Sequence, residues 1–138
     1  MKKLFFALVA CVAMLGLTSC SETIESQIFE LTYDAGSFES GDIMHYQTAY
    51  MPIFDKEIVK VAPRVGEDGY TYMINGKSEK KAKADVQAAF NEAVKQVEEQ
   101  YAKDNIISSL EGFKVIVKHS TPTKQNKVEW LTYTFKKK

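Results

Sequence analysis

Cysteine and histidine are both scarce in this chain, which has two of each in 138 residues. Cys11 and Cys20 fall within the first twenty positions, so no thiol follows Cys20. From Ser21 onward the chain therefore has no intramolecular disulfide, no Cys-ligated zinc and no thiol nucleophile. A small domain without disulfides must be held by its hydrophobic core. His45 and His119 stand far apart, and neither segment has metal-ligand spacing. Net charge is also missing, with 18 basic against 18 acidic residues. A neutral chain has no global electrostatic reason to hold nucleic acid, which is excluded as a partner. The apolar run from Leu4 to Leu17 is shorter than the roughly 20 residues a membrane-spanning helix needs. The sequence has no Gly-x-Ser-x-Gly elbow, His-Glu-x-x-His helix, glycine-rich phosphate loop or calcium-loop spacing. It contains no internal repeat, and nothing in it asks for a cofactor.

What is present begins at the N-terminus. Lys2 and Lys3 give a positive start, an apolar run follows, and the run closes on Leu17-Thr18-Ser19-Cys20. This is the layout of an export signal, with small residues where a peptidase must approach. The segment resembles the lipobox of bacterial lipoproteins. The resemblance implies that residues 1–19 are a signal peptide that is removed. It implies that Cys20 is lipidated through its sulfur and becomes the N-terminus, usually with a further acyl chain on its amine. Two or three buried chains, at about 0.8 kcal/mol per methylene, anchor a protein without a spanning helix. The Lys-Lys start, the compact lipobox and the acids Glu22 and Glu25 resemble small Bacteroidetes-type lipoproteins. That implies a cell-envelope location at the outer membrane, on its periplasmic face or at the cell surface. An ordinary secretory signal with an incidental cysteine is the plainer alternative.

Without Lys2 and Lys3, 16 basic residues face 18 acidic ones. Residues 20–27 read as the lipidated cysteine and a short tether, and residues 28–138 as one α+β domain. Ser21 to Gln27 would reach at most about 20–25 Å. Lys136-Lys137-Lys138 reads as a solvated tail, or as a contact with anionic head groups near the anchor.

Phe29, Leu31 and Tyr33 alternate with Glu30 and Thr32, which predicts a half-buried strand. Ile43 to Met51 alternates too, with Met44, Tyr46, Thr48 and Tyr50 on one face, and is predicted as a strand ended by Pro52. Glu57–Pro63 and Tyr70–Ile74 read as a hairpin turning at Gly66-Glu67-Asp68-Gly69. Ser78 is a helix N-cap. Val86, Phe90, Ala93, Val97 and Tyr101 then recur on one helical face, ending near Asp104-Asn105. Glu79–Lys83 and Glu99–Lys103 are i,i+4 pairs. Phe113–Lys118 and Val128–Phe135 predict a second hairpin around the polar loop His119–Asn126. The expected fold is an antiparallel sheet of about five or six strands with one long helix on a face, in the order strands, helix, two strands.

Two functional readings follow. The first is a non-enzymatic domain binding a protein or glycan partner, with Tyr46, Tyr50, Tyr70, Tyr72 and Trp130 as an exposed aromatic platform. The commoner fate of such residues is core and cross-strand packing. The alternative is a small envelope hydrolase or metal-dependent enzyme, built on His45 with Glu39, Asp42 and Asp55. That reading requires a pocket holding His45 and at least two of those acids. His119, in the polar loop, is expected to be exposed. A third possibility is pairing of an edge strand with a partner sheet.

Overall fold

The computed structural model describes residues 24–67, 69–107 and 109–138. The signal segment, Cys20 and Asp68 lie outside the described residues. Seven elements follow one another: β1 (Gln27–Asp34), α1 (Ser40–Ala49), α2 (Met51–Ile58), β2 (Thr71–Ile74), α3 (Glu79–Ala102), β3 (Lys114–Ser120) and β4 (Val128–Thr134). The strands form one antiparallel sheet in the order β2-β1-β3-β4. The α+β class, the antiparallel sheet and the long helix match expectation. Among the described residues the sheet has four strands, because two of the expected strands do not form: one is helical, and the other, Glu57–Pro63, leaves the end of α2 as a turn.

The first of these is Ile43–Met51, which is helical through α1 into α2. Tyr46 and Tyr50 are four apart, a spacing that fits a strand face and a helix face equally. Both rings are fully buried, whereas Met44 faces solvent. Pro52, expected to end a strand, sits in the first turn of α2, where its missing N–H leaves nothing unpaired. The second is Glu57–Ala62. Met51, Phe54 and Ile58 bury one face of α2, and the chain turns at Val59–Ala62. The expected hairpin survives only as a short ribbon. Arg64 bridges Tyr72, flanked by Val65 N–H to Thr71 O (2.8 Å) and Met73 N–H to Pro63 O (3.0 Å). Gly66 and Gly69 hold φ of 78° and 80° in its turn, the left-handed region that suits glycine.

The rest follows the sequence closely. The Ser78 hydroxyl caps α3 by accepting from Lys81 N–H. Val86, Phe90, Ala93, Val97 and Tyr101 are all buried, and Lys83 meets Glu79 at 2.9 Å. On the sheet, the cross-strand sets Phe29–His119, Leu31–Val117–Leu131 and Tyr33–Val115–Tyr133 line up in register. Their face is the covered one, since Trp130 meets Lys83 of α3 and Tyr33 meets Tyr46 of α1. The opposite face carries Glu30–Lys118–Glu129 and Thr32–Ile116–Thr132. The β3–β4 register skips Trp130, which forms a bulge in β4. His119 is a correction: it belongs to β3 and is buried, with Nε2 2.7 Å from Gln27 Oε1. Burial, helped by the charges of Lys83 and Lys124, pushes its pKa below the usual imidazole value.

One end of the core is almost entirely aromatic. Phe135 contacts the rings of Tyr46, Tyr50, Tyr101, Phe113 and Tyr133, with centroids 5.1–6.2 Å apart. Edge-on arrangements of this kind are favourable beyond the area they bury. Among the described residues the hydrophobic core cluster runs from Phe29 to Phe135.

The Tyr46 hydroxyl is buried in this cluster and has no hydrogen-bond partner among the described residues. Burial, reinforced by the nearby Tyr33 and Tyr70 phenols, strongly raises its pKa. An orphaned buried hydroxyl is unfavourable. Tyr46→Phe is therefore expected to stabilise the fold by about 1 kcal/mol. The check is a higher urea midpoint at unchanged slope.

Candidate functional site

The antiparallel topology gives the molecule two poles. At the first, β1 begins, β2 ends against it (Gln27 opposite Ile74), β3 ends and β4 begins. The helix α3 also starts here, at Ser78. Two contacts tie the incoming chain to this pole: Ser26 Oγ donates to Asn75 Oδ1 at 2.6 Å, and Thr123 Oγ1 to Glu25 Oε2 at 2.8 Å. We call it the entry pole. Across the length of α3, about 36 Å of helix, lies the far pole. There α3 ends, β4 ends, and the aromatic cluster sits.

A cleft of about 680 Å³ opens at the far pole. His45 and Ala49 of α1 form one wall. Gln96, Glu99, Gln100 and Lys103 form the other, and Asp104 to Ile106 close the end. Gln96, Gln100 and Lys103 recur at i, i+4 and i+7, so they share one face of α3. The Gln100 amide donates to Ala49 O at 3.1 Å, tying α3 to α1. The Gln96 amide donates to the buried Glu57 carboxylate at 2.9 Å. That bond, aided by Lys60 and Lys56, holds the Glu57 carboxyl below the usual range.

At the back of the cleft two side chains and one backbone N–H converge on one carboxylate. His45 Nε2 lies 2.6 Å from Asp104 Oδ2, and Tyr50 OH donates to the same oxygen. Asp104 Oδ1 accepts the Ile106 N–H at 2.9 Å. Burial alone would raise the Asp104 carboxyl. The bonds from His45, Tyr50 and the Ile106 backbone outweigh it and hold the group at about 2. Burial and the bond to Asp104 push the Tyr50 phenol well up. The His45 and Tyr50 rings meet edge to face at 5.8 Å. Chemically the arrangement is an imidazole oriented by a carboxylate, set in an open, polar cleft that offers amides and charges of both signs.

The acids expected around His45 are elsewhere. Glu39 and Asp42 lie at the start of α1, and neither lines the cleft. Asp55 accepts from Tyr72 OH at 2.7 Å and pairs with Arg64 at 3.3 Å. No group of three or more His, Cys, Asp or Glu is placed to hold a metal among the described residues. The partner of His45 is Asp104, 59 positions away, which sequence reasoning treated only as a helix end.

The aromatic platform is not brought together either. Tyr46, Tyr50 and Tyr72 are fully buried, so their faces are closed to a ligand. Tyr70 and Trp130 are half-buried and belong to opposite edges of the sheet. Tyr70 lies under the Arg64 guanidinium (4.8 Å), and Trp130 packs on Phe29 (5.5 Å). The lysine tail belongs to the far pole, away from the entering chain. Lys138 Nζ donates to Asp104 O and, at 2.9 Å, to Ile107 O, and sits 5.0 Å over the Tyr101 ring. The last lysine is thus bound to the loop that carries Asp104, at the opposite pole from Ile24.

Comparison of the chain with models of known families, with curated proteins and with solved structures found no match. No helix among the described residues is long and apolar enough to cross a membrane.

Proposed function

We propose that this chain is a lipid-anchored protein of the bacterial cell envelope that binds a protein or glycan partner, without catalysis, through the far-pole cleft. One observation carries the reading: a cleft of about 680 Å³ lined by polar and charged side chains lies at the opposite pole from the segment that leads back to Cys20. A chain held by Cys20 at the outer membrane would turn this cleft away from the bilayer. The lining supports binding, because carboxamides, a lysine and a carboxylate on a rigid helix are hydrogen-bonding groups suited to polar partners. The buried His45–Asp104–Tyr50 cluster braces α1 against the end of α3, so both walls are fixed before a partner arrives.

The anchor is tested by metabolic labelling with an alkyne fatty acid, followed by fractionation. The wild-type protein is expected to be labelled and to sediment with membranes. Cys20→Ala is expected to be unlabelled and released. Soluble, unlabelled wild-type protein would overturn the anchor. The cleft is tested by presenting the domain to glycan and peptide arrays. Glu99→Ala combined with Lys103→Ala, two exposed lining residues whose side chains make no bond to the rest of the fold among the described residues, is expected to abolish the signals the parent protein gives, with an unchanged urea midpoint. Undiminished signals would remove the cleft from the proposal.

A further inference from the structure

The entry pole gathers basic side chains that are scattered in sequence. Lys77, Lys80 and Lys81 flank the start of α3, and Lys124 and Lys127 lie in the β3–β4 loop. All five are exposed. Lys77 pairs with Asp85 at 2.6 Å and Lys127 with Glu30 at 3.4 Å. Lys80, Lys81 and Lys124 have no ion-pair partner within 4.0 Å among the described residues. Of the local acids, Glu79 holds Lys83, while Glu25 accepts the Thr123 hydroxyl and keeps its charge near Lys124, so five lysines face one uncompensated carboxylate beside those already paired. Two large apolar side chains, Ile24 and Val128, stand exposed on the same pole, at 56% and 61%.

The tether is also shorter than the sequence suggests. Glu25 and Ser26 are bonded to the domain through Thr123 and Asn75. Only the links from Cys20 to Ile24 are then free to span the gap, at most about 14 Å. Electrostatic attraction at a membrane surface extends about one Debye length, roughly 8–10 Å. A pole held that close lies within reach of the head groups.

We propose that the entry pole is a docking surface for anionic lipid head groups, with Lys80, Lys81 and Lys124 contacting phosphates and Ile24 and Val128 entering the interface. The proposal rests on the lipid-anchor reading, since the anchor is what presents this pole to the bilayer. The head groups would hold the domain upright on its tether and keep the far-pole cleft clear of the membrane.

The test uses residues 24–138, which contain the hydrophobic core cluster of the described residues and no lipid. Sedimentation is measured with vesicles of phosphatidylcholine alone and of phosphatidylcholine mixed with phosphatidylglycerol. Preferential binding to the anionic vesicles, weakened by added salt, is expected. Lys80→Glu, Lys81→Glu and Lys124→Glu together are expected to weaken it on the order of a hundredfold, from about fivefold per lysine. Lys136→Glu with Lys137→Glu, at the far pole, is expected to leave it within about twofold, because those charges sit beyond screening range. Equal losses for the two sets would reduce the effect to net charge and overturn the proposal. No preference for anionic vesicles would overturn it as well. Failure of the anchor itself shows separately, as absence of fatty-acid label on the full chain.

Discussion

Replacing Phe135 by alanine is expected to destabilise the domain by about 3–5 kcal/mol, the usual range for a buried phenylalanine. The reason is position more than size. Phe135 is 1% exposed and touches five aromatic rings drawn from α1, α3, β4 and the segment before β3. Its backbone also pairs with Phe113, through Phe135 N–H to Phe113 O at 2.8 Å. Truncation leaves a cavity that these large, fixed rings cannot close, so little of the loss is recovered by relaxation. Against a typical total stability of about 5–15 kcal/mol, the variant is expected to be partly unfolded at physiological temperature. Urea titration followed by tyrosine fluorescence measures the loss. A change below about 1 kcal/mol would mean the cluster is not the organising contact at this pole.

The second large effect is expected at Asp104. Asp104→Ala removes the acceptor shared by His45 and Tyr50 and leaves the fully buried Tyr50 without its hydroxyl partner. A lost hydrogen bond to a charged group is worth about 1.5–3 kcal/mol, and that is the expected destabilisation. The pH dependence has a definite sign. The folded-state carboxyl is held at about 2, below the roughly 3.9 of an unfolded aspartate. Its contribution is therefore fully present above about pH 5 and is lost as pH falls through 4 toward 2. Asp104→Asn cannot titrate, so the stability gap between this variant and the wild type should close across that window. Urea midpoints at pH 6 and pH 3 test this. A gap of constant size would show that the Asp104 charge is not what the bonds stabilise.

These two positions differ in how far the sequence reveals them. Phe135 was legible as a strand residue, because Val128–Phe135 is β-rich and the strand pairs as expected. The helix α3 was legible for a related reason: five apolar residues repeat from Val86 to Tyr101, too long a run to fit any other period. The failures are also physical. Tyr46 and Tyr50 satisfy both periodicities, and only the tertiary burial of both rings under α3 and β4 settles the segment as helix. The same burial removes Tyr46, Tyr50 and Tyr72 from the surface, where a binding platform required them. Asp104 carries no local signal, since an acid after a helix is ordinarily a solvated end. Its role comes from a contact made across 59 positions. The lysines of the entry pole were invisible for the same reason, being split between the start of α3 and a loop some forty residues later.

The bulge at Trp130 bears on how many copies can share a surface. Of the two outer strands, β2 has its outer side occupied by the Pro63–Val65 ribbon, so β4 alone offers free backbone groups to a neighbour. A regular seven-residue edge would invite another copy to add its own strand. The extra residue at Trp130 twists that edge out of line, and Lys127, Glu129 and Lys136 set charges along it. Crowded copies are thereby kept from zipping into a continuous sheet, and each keeps its own cleft open to solvent.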